Sequence, residues 1–118
     1  MSGITSYYAG LCAEDAVAQD YARRGRSVVQ RRWRGKGGEI DLIFADGDGL
    51  IFVEVKKSRS HGRAAQSLSR RQMDRISMAA SEFLGTQPRG QLTDVRFDLA
   101  TVNDVGEIAI LENAFQEF

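Results

Sequence analysis

The spacing of apolar and polar positions divides the chain into seven predicted elements. Ile4, Tyr8, Leu11, Ala18 and Tyr21 recur at intervals of three, four or seven residues, which marks one face of a helix over residues 4–24. Gly10 weakens its first half, so the strongest stretch is Leu11 to Arg24, closed by Gly25. Residues 27–34 read as a strand with Val29 and Trp33 on one face, followed by a glycine-rich loop over 35–38. Two further strands, 39–45 and 50–58, are joined by Asp46-Gly47-Asp48-Gly49, where Gly47 accepts the positive φ that opens a type II′ turn. Residues 59–66, with Arg59, His61, Gly62 and Arg63, read as a mobile basic loop. Leu68, Met73, Ile76, Ala80, Phe83 and Leu84 mark a second helix ending near Gly85, and residues 85–90, with Pro88, form a loop. Residues 95–102 alternate as a strand and 107–111 form a shorter one. The order α-β-β-β-α-β-β predicts an α/β fold: a mixed sheet with helices packed on it, in a single domain spanning 1–118.

The hairpin carries the most specific information. A two-residue turn at Gly47 and Asp48 sets Ala45 opposite Leu50, Ile43 opposite Phe52, Asp41 opposite Glu54 and Glu39 opposite Lys56. Alternation then collects Ile40, Leu42, Phe44, Ile51, Val53 and Val55 on one face, which a helix must cover. Glu39, Asp41, Glu54 and Lys56 gather at one end of the other face, beside Ile43 and Phe52. Opposed carboxylates with Cβ atoms about 4.5–5.5 Å apart repel one another. A divalent cation between them removes that penalty, since Mg²⁺ takes carboxylate and water oxygens at about 2.0–2.1 Å. Two other readings stay open: a solvated charged face in which Lys56 partly neutralises the acids, and a three-residue loop that slips the register. The slip sets Asp41 opposite a core residue, and both apolar strands oppose it.

Composition narrows the chemistry. The chain has 118 residues, 42% hydrophobic and 27% charged, the make-up of one soluble globular domain. No apolar run approaches the roughly 18–20 residues of a membrane helix, and no signal-peptide pattern opens the chain, so a cytoplasmic protein is expected. Cys12 is the sole cysteine and His61 the sole histidine, which excludes a disulfide framework and a standard zinc site. A Ser-His-Asp or Cys-His mechanism has only His61 to use, and any metal must be held by oxygen. Residues 35–38 lack the spacing of a phosphate-binding loop.

The zero net charge conceals an asymmetry. Residues 23–75 hold fourteen of the sixteen Lys and Arg against six acids, a balance of +8, while the flanks carry −3 and −5. That points to a polyanion partner, against the alternative of solvated arginines scattered over several faces. The phosphate-contact candidates, as a group, are Arg31, Arg34, Lys36, Lys57, Arg59, Arg63, Arg70 and Arg71. His61 reads as a surface residue, Trp33 as core, and Cys12 is assigned no chemistry. Glu14 lies on the apolar stripe of the first helix, three residues after Leu11 and four before Ala18. Its carboxylate either reaches water from the stripe's edge or is turned inward for a purpose.

Gly38-Glu39-Ile40-Asp41-Leu42-Ile43 followed by Phe52-Val53-Glu54-Val55-Lys56 resembles the PD-(D/E)XK nuclease signature, an acid and then acid-x-lysine on the next strand. With Glu14, the helix beginning near Ser69, the Arg96-Phe97-Asp98 strand and Ala114-Phe115, nearly the whole chain resembles the YraN family of uncharacterised small bacterial proteins, grouped with that superfamily. The resemblance implies a restriction endonuclease-like fold, similar to archaeal Holliday-junction resolvases. It implies that Asp41 and Glu54 ligate Mg²⁺ or Mn²⁺, with the Val55 carbonyl and Glu14 as further ligands. Lys56 is then the residue that orients or deprotonates the attacking water, and Glu39 an outer partner of the metal site.

Two positions depart from the expected pattern: Ile40 stands where the superfamily has proline, and Gln72 where a lysine is expected in relatives, supplying a hydrogen bond but no charge. The function expected is a metal-dependent endonuclease acting on nucleic acid, DNA in preference to RNA, including branched or otherwise non-standard DNA. The alternatives are a nucleic-acid-binding module without catalysis and a partner protein of a repair or recombination assembly. A homodimer is a further possibility that the sequence leaves open.

Overall fold

Every strand expected from alternation forms within a residue of its predicted ends. The structure, a computed structural model, describes residues 3–115, with side chains from Cys12 onward. The elements are α1 (Gly3–Arg23), β1 (Val28–Arg34), β2 (Glu39–Asp46), β3 (Gly49–Lys57), α2 (His61–Gln66), α3 (Arg70–Leu84), a 3₁₀ turn at Gly90–Leu92, β4 (Val95–Val102) and β5 (Ile108–Leu111). The strands form one mixed sheet in the order β1-β2-β3-β4-β5. Only β3 and β4 run parallel, and parallel neighbours need a long crossover, which α2 and α3 supply. Ile4 and Tyr8 of the predicted helical stripe lie outside the described side chains.

Residues 59–66 are not a loop. Ser60 caps α2, its Oγ accepting from the Arg63 amide at 3.2 Å, and Ala64 is fully buried. A short helix survives there because a good cap and tertiary burial outweigh Gly62. At α3, Ser69 and Gln72 form a reciprocal capping box: the Gln72 amide donates to Ser69 Oγ at 3.1 Å and the Ser69 amide to Gln72 Oε1 at 3.3 Å.

Both faces of the sheet are covered. Ala13, Val17, Ala18 and Tyr21 of α1 pack on Leu42, Phe44, Ile51, Val53, Ala100 and Val102. Met73, Ile76, Ala79, Ala80, Phe83 and Leu84, chiefly from α3, pack on Ile43, Leu50, Phe52 and Leu99. The face that alternation assigned to the acids is therefore mostly core, with Ile43 and Phe52 at 0% and 1% exposure. On the α1 side of β4 stands Asp98, also 0% exposed. It accepts from the Tyr21 hydroxyl at 2.7 Å, twice from Arg96 at 2.9 Å, and from the Asn113 amide at 3.2 Å. A buried carboxylate tolerates such a position only when its oxygens are satisfied, and here the network ties α1, β4 and the C-terminal segment together.

The hairpin register is as expected: Asp46 faces Gly49, Ala45 faces Leu50, Ile43 faces Phe52 and Leu42 faces Val53. Gly47 adopts φ +60°, the positive angle required of it. The expected faces fail at one level. Arg31 bonds Asp15 of α1 at 2.7 Å, yet Trp33, two residues later, meets Phe83 of α3 edge-on at 5.3 Å. Residues two apart on a regular strand share a face. The break is Arg32, held at φ +48°. Arg31 pairs with Leu42 and Trp33 with Ile40, so Arg32 lies level with Asp41. On β2 the alternation slips at that same level: Ile40 joins Ile43 and Phe52 under α3 rather than Leu42 and Phe44 under α1. A paired flip on adjacent strands keeps β1 and β2 in register while turning Glu39 and Asp41 toward α1.

Candidate active site

The flip opens a cleft of about 310 Å³ at the open end of the hairpin, lined by Ala13, Glu14, Glu39, Asp41, Glu54, Val55, Lys56 and Lys57. Leu42–Val53 is the last backbone pair of the β2–β3 ladder, and beyond it the strands part. Asp41 replaces the next ladder bond, its Oδ2 accepting from the Val55 amide at 2.8 Å. This fixes the carboxylate beside Glu54.

Glu54 shares a hydrogen bond with Asp41, and burial, that bond and the Asp41 charge push its carboxyl up to about 9. Lys56, with Nζ 3.8 Å from Glu54 Oε2, opposes the shift. Burial and the neighbouring Asp41 charge thus favour the protonated form of Glu54, as expected where a second charge is disfavoured beside a first. Glu14 enters from α1. Burial first, then Asp41, raises its carboxyl to about 7, with Arg32 and Arg31 opposing. Glu14 is half-buried and lines the cleft beside Glu39 and Asp41.

Glu39 accepts from Arg34 at 3.0 Å and lies 3.6 Å from Arg32. Lys57 stands exposed at the rim. Among the described residues no three or more His, Cys, Asp or Glu side chains converge as a metal-holding group. The donors in place are the Asp41–Glu54 pair, with Glu14 and the Val55 backbone in the same cleft. A hard cation that needs one or two carboxylates and keeps several waters, such as Mg²⁺ or Mn²⁺, suits this set.

Several candidates lie elsewhere. Gln72 does not line the cleft; its side chain closes the α3 capping box. Arg59 precedes α2, Arg63 lies within it, and Arg70 and Arg71 open α3, none of them lining the cleft. Lys36 lies in the glycine loop, where its backbone amide, with that of Gly37, donates to the Glu82 carboxylate at 2.7 and 2.9 Å. Arg31 is held by Asp15 outside the cleft lining. His61 is half-buried rather than a free surface residue, its Nδ1 2.7 Å from Thr101 Oγ1. Trp33 packs against the α3 core. Arg32 was absent from the sequence candidates, because nothing in strand alternation marks a left-handed arginine. Asp98 carried a signal that went unused: an acid inside an otherwise apolar alternating strand.

Fold and cleft together define an α/β domain with a paired-carboxylate site at the open end of a central hairpin. The chain belongs to the Uncharacterised protein family UPF0102, whose profile matches residues 13–102, a span that includes every cleft residue. This is the YraN family. The chain is similar to a UPF0102 protein of Cereibacter sphaeroides, 64% identical over 98% of both chains. It is also similar to one of Ruegeria pomeroyi, 55% identical over 96% of this chain and 92% of the relative, and to one of Roseobacter denitrificans, 46% identical over 98% and 90%. Among the described residues no helix is long and apolar enough to cross a membrane.

Proposed function

We propose that the protein is a cytoplasmic metal-dependent endonuclease of the PD-(D/E)XK type, hydrolysing phosphodiester bonds in DNA. The observation that carries this reading is the placement of Asp41 and Glu54 beside Lys56 in one open cleft, with Asp41 fixed there by the Val55 amide. Paired acids next to a lysine are groups that metal-assisted phosphoryl transfer uses. Asp41 and Glu54 would hold Mg²⁺ or Mn²⁺, with Glu14 and the Val55 carbonyl as further oxygen donors. The cation supplies Lewis-acid charge to the phosphate and lowers the pKa of water.

The chain's own residues do the rest. The Val55 amide keeps the Asp41 carboxylate oriented. Lys56, already facing Glu54, holds positive charge where negative charge grows on the phosphate and can orient the attacking water. The basic residues of the middle segment counter the acids so that a polyanion can approach. Labelled single strand, duplex, flap, four-way junction and RNA, incubated with Mg²⁺, Mn²⁺ or EDTA, test the reading. Cleavage is expected only with metal, and Asp41→Asn should abolish it while binding stays equal or tightens. Cleavage that survives Asp41→Asn refutes the assignment.

A second reading has one observation in its favour: the described acids do not form a three-donor group. The protein is then a nucleic-acid-binding module without turnover, and its binding falls with salt and ignores EDTA.

A further inference from the structure

We propose that Arg32 and Arg34, both held by Glu39, form a phosphate clamp at the mouth of the acidic cleft, with Glu39 as their positioning residue. This rests on the reading of the cleft as a nucleic-acid site. Four acids, Glu14, Glu39, Asp41 and Glu54, line the cleft, and Lys56 and Lys57 are the cations that line it with them. Such a wall repels a phosphate unless further cations stand at its entrance. Arg32 and Arg34 on the edge strand β1 do not line the cleft but are joined to it through Glu39: the Arg34 guanidinium lies 3.0 Å from Glu39 Oε2, and Arg32 Nε lies 3.6 Å from Oε1.

One carboxylate thus restrains two guanidinium groups while leaving them accessible, with side-chain exposures of 42% and 79%. A guanidinium presents paired N–H donors that match two phosphate oxygens, which a lysine cannot. Arg32 reaches this place through a left-handed backbone, φ +48°, in mid-strand. A long side chain adopts that angle only where its surroundings enforce it. Here Asp15 and Phe83 hold its two neighbours against opposite faces of the sheet. The residue that carries the strain is also level with Asp41. Strand flip, acid placement and guanidinium placement are one local arrangement.

The clamp predicts effects that net charge alone does not. Binding of a labelled DNA duplex and a four-way junction is followed by fluorescence anisotropy across a salt series, in EDTA and in Mg²⁺ with Asp41→Asn present to prevent cutting. Arg32→Asn keeps the flip, since asparagine tolerates left-handed φ, and removes the guanidinium. It should weaken binding roughly tenfold and lower the slope of log affinity against log salt by about one. Arg31→Asn, which removes the same charge from the adjacent residue, should change affinity by less than about threefold because its guanidinium is held at α1 by Asp15 and not beside the cleft by Glu39. Arg32→Lys should restore only part of the loss.

Glu39→Gln separates the two accounts most sharply. If the arginines act only as charge, removing an acid tightens binding; if Glu39 positions them, binding weakens. Thermal melts confirm that each variant is folded. Equal effects of Arg31→Asn and Arg32→Asn, or tighter binding by Glu39→Gln, overturn the clamp. If Arg32 governs binding but no metal supports cleavage, the endonuclease reading fails and the clamp stands. A wild-type protein that binds none of the probes overturns both.

Discussion

Replacing Glu54 by glutamine should make the metal-free protein more stable. In the folded chain the Glu54 carboxyl is pushed from its ordinary 4.5 to about 9 by burial and by Asp41, whereas the unfolded chain titrates near the ordinary value. Between those values the folded state holds a proton that the unfolded state has released, so stability falls as pH rises through this window. Each pH unit is worth at most about 1.36 kcal/mol, which sets a ceiling of about 3 kcal/mol for the loss accumulated from pH 4.5 to pH 7. The opposing charge of Lys56 is already contained in that displaced value, and the incomplete burial of the side chain, 11% exposed, trims the loss, so we expect roughly 2 kcal/mol.

Glutamine keeps the shape and donates an amide hydrogen to Asp41 without titrating. Glu54→Gln should therefore match the wild type below about pH 4.5 and exceed it increasingly above that, by about 8 °C in melting temperature near neutral pH. Urea titrations of both proteins in EDTA, at several pH values from acid to mildly alkaline, measure the difference directly. Added Mg²⁺ should then stabilise the wild type and leave Glu54→Gln nearly unchanged, since a ligand stabilises only the state that binds it. Parallel pH profiles for the two proteins would refute the raised Glu54 carboxyl and, with it, the argument that these acids are held together at a cost that a cation relieves.

Three other substitutions test the frame around the cleft. Asp98→Ala leaves the Tyr21 hydroxyl buried without its acceptor and Arg96 with Glu112 alone, and should destabilise by about 3 kcal/mol in urea denaturation, while Tyr21→Phe, losing one bond, should cost about 1–2 kcal/mol. Gln72→Lys removes half of the α3 capping box and should lower stability by about 0.5–1 kcal/mol without increasing metal-dependent cleavage, because position 72 does not line the cleft. Arg32→Gly relieves a positive φ that only glycine adopts freely and should raise the melting temperature by about 4 °C, while weakening nucleic-acid binding as Arg32→Asn does.

Much of this protein is legible in its sequence because the relevant physics is local. Turn chemistry at Gly47 and a period of two determine the hairpin register from Asp46–Gly49 to Leu42–Val53, and that register brings Asp41 and Glu54 to the same end of the two strands. The lone cysteine and lone histidine exclude whole classes of chemistry without any coordinates. The strands, the two long helices and the acid-x-lysine pair follow from the same short-range patterns.

Tertiary structure decided what depends on groups distant along the chain. Residues 61–66 become a helix because burial of Ala64 adds to a local cap that is too weak to be decisive on its own. Gln72 is diverted from the site because Ser69, at the start of a packed helix, needs a partner for its amide. Arg32 and Asp41 break alternation together because α1 and α3 claim opposite faces of the same two strands, a conflict that appears only once both helices are docked. The sequence by itself determined which residues could form the site. Packing on both faces of the sheet determined which way those residues point, since a side chain's direction is set by what covers each face as well as by its place in the alternation.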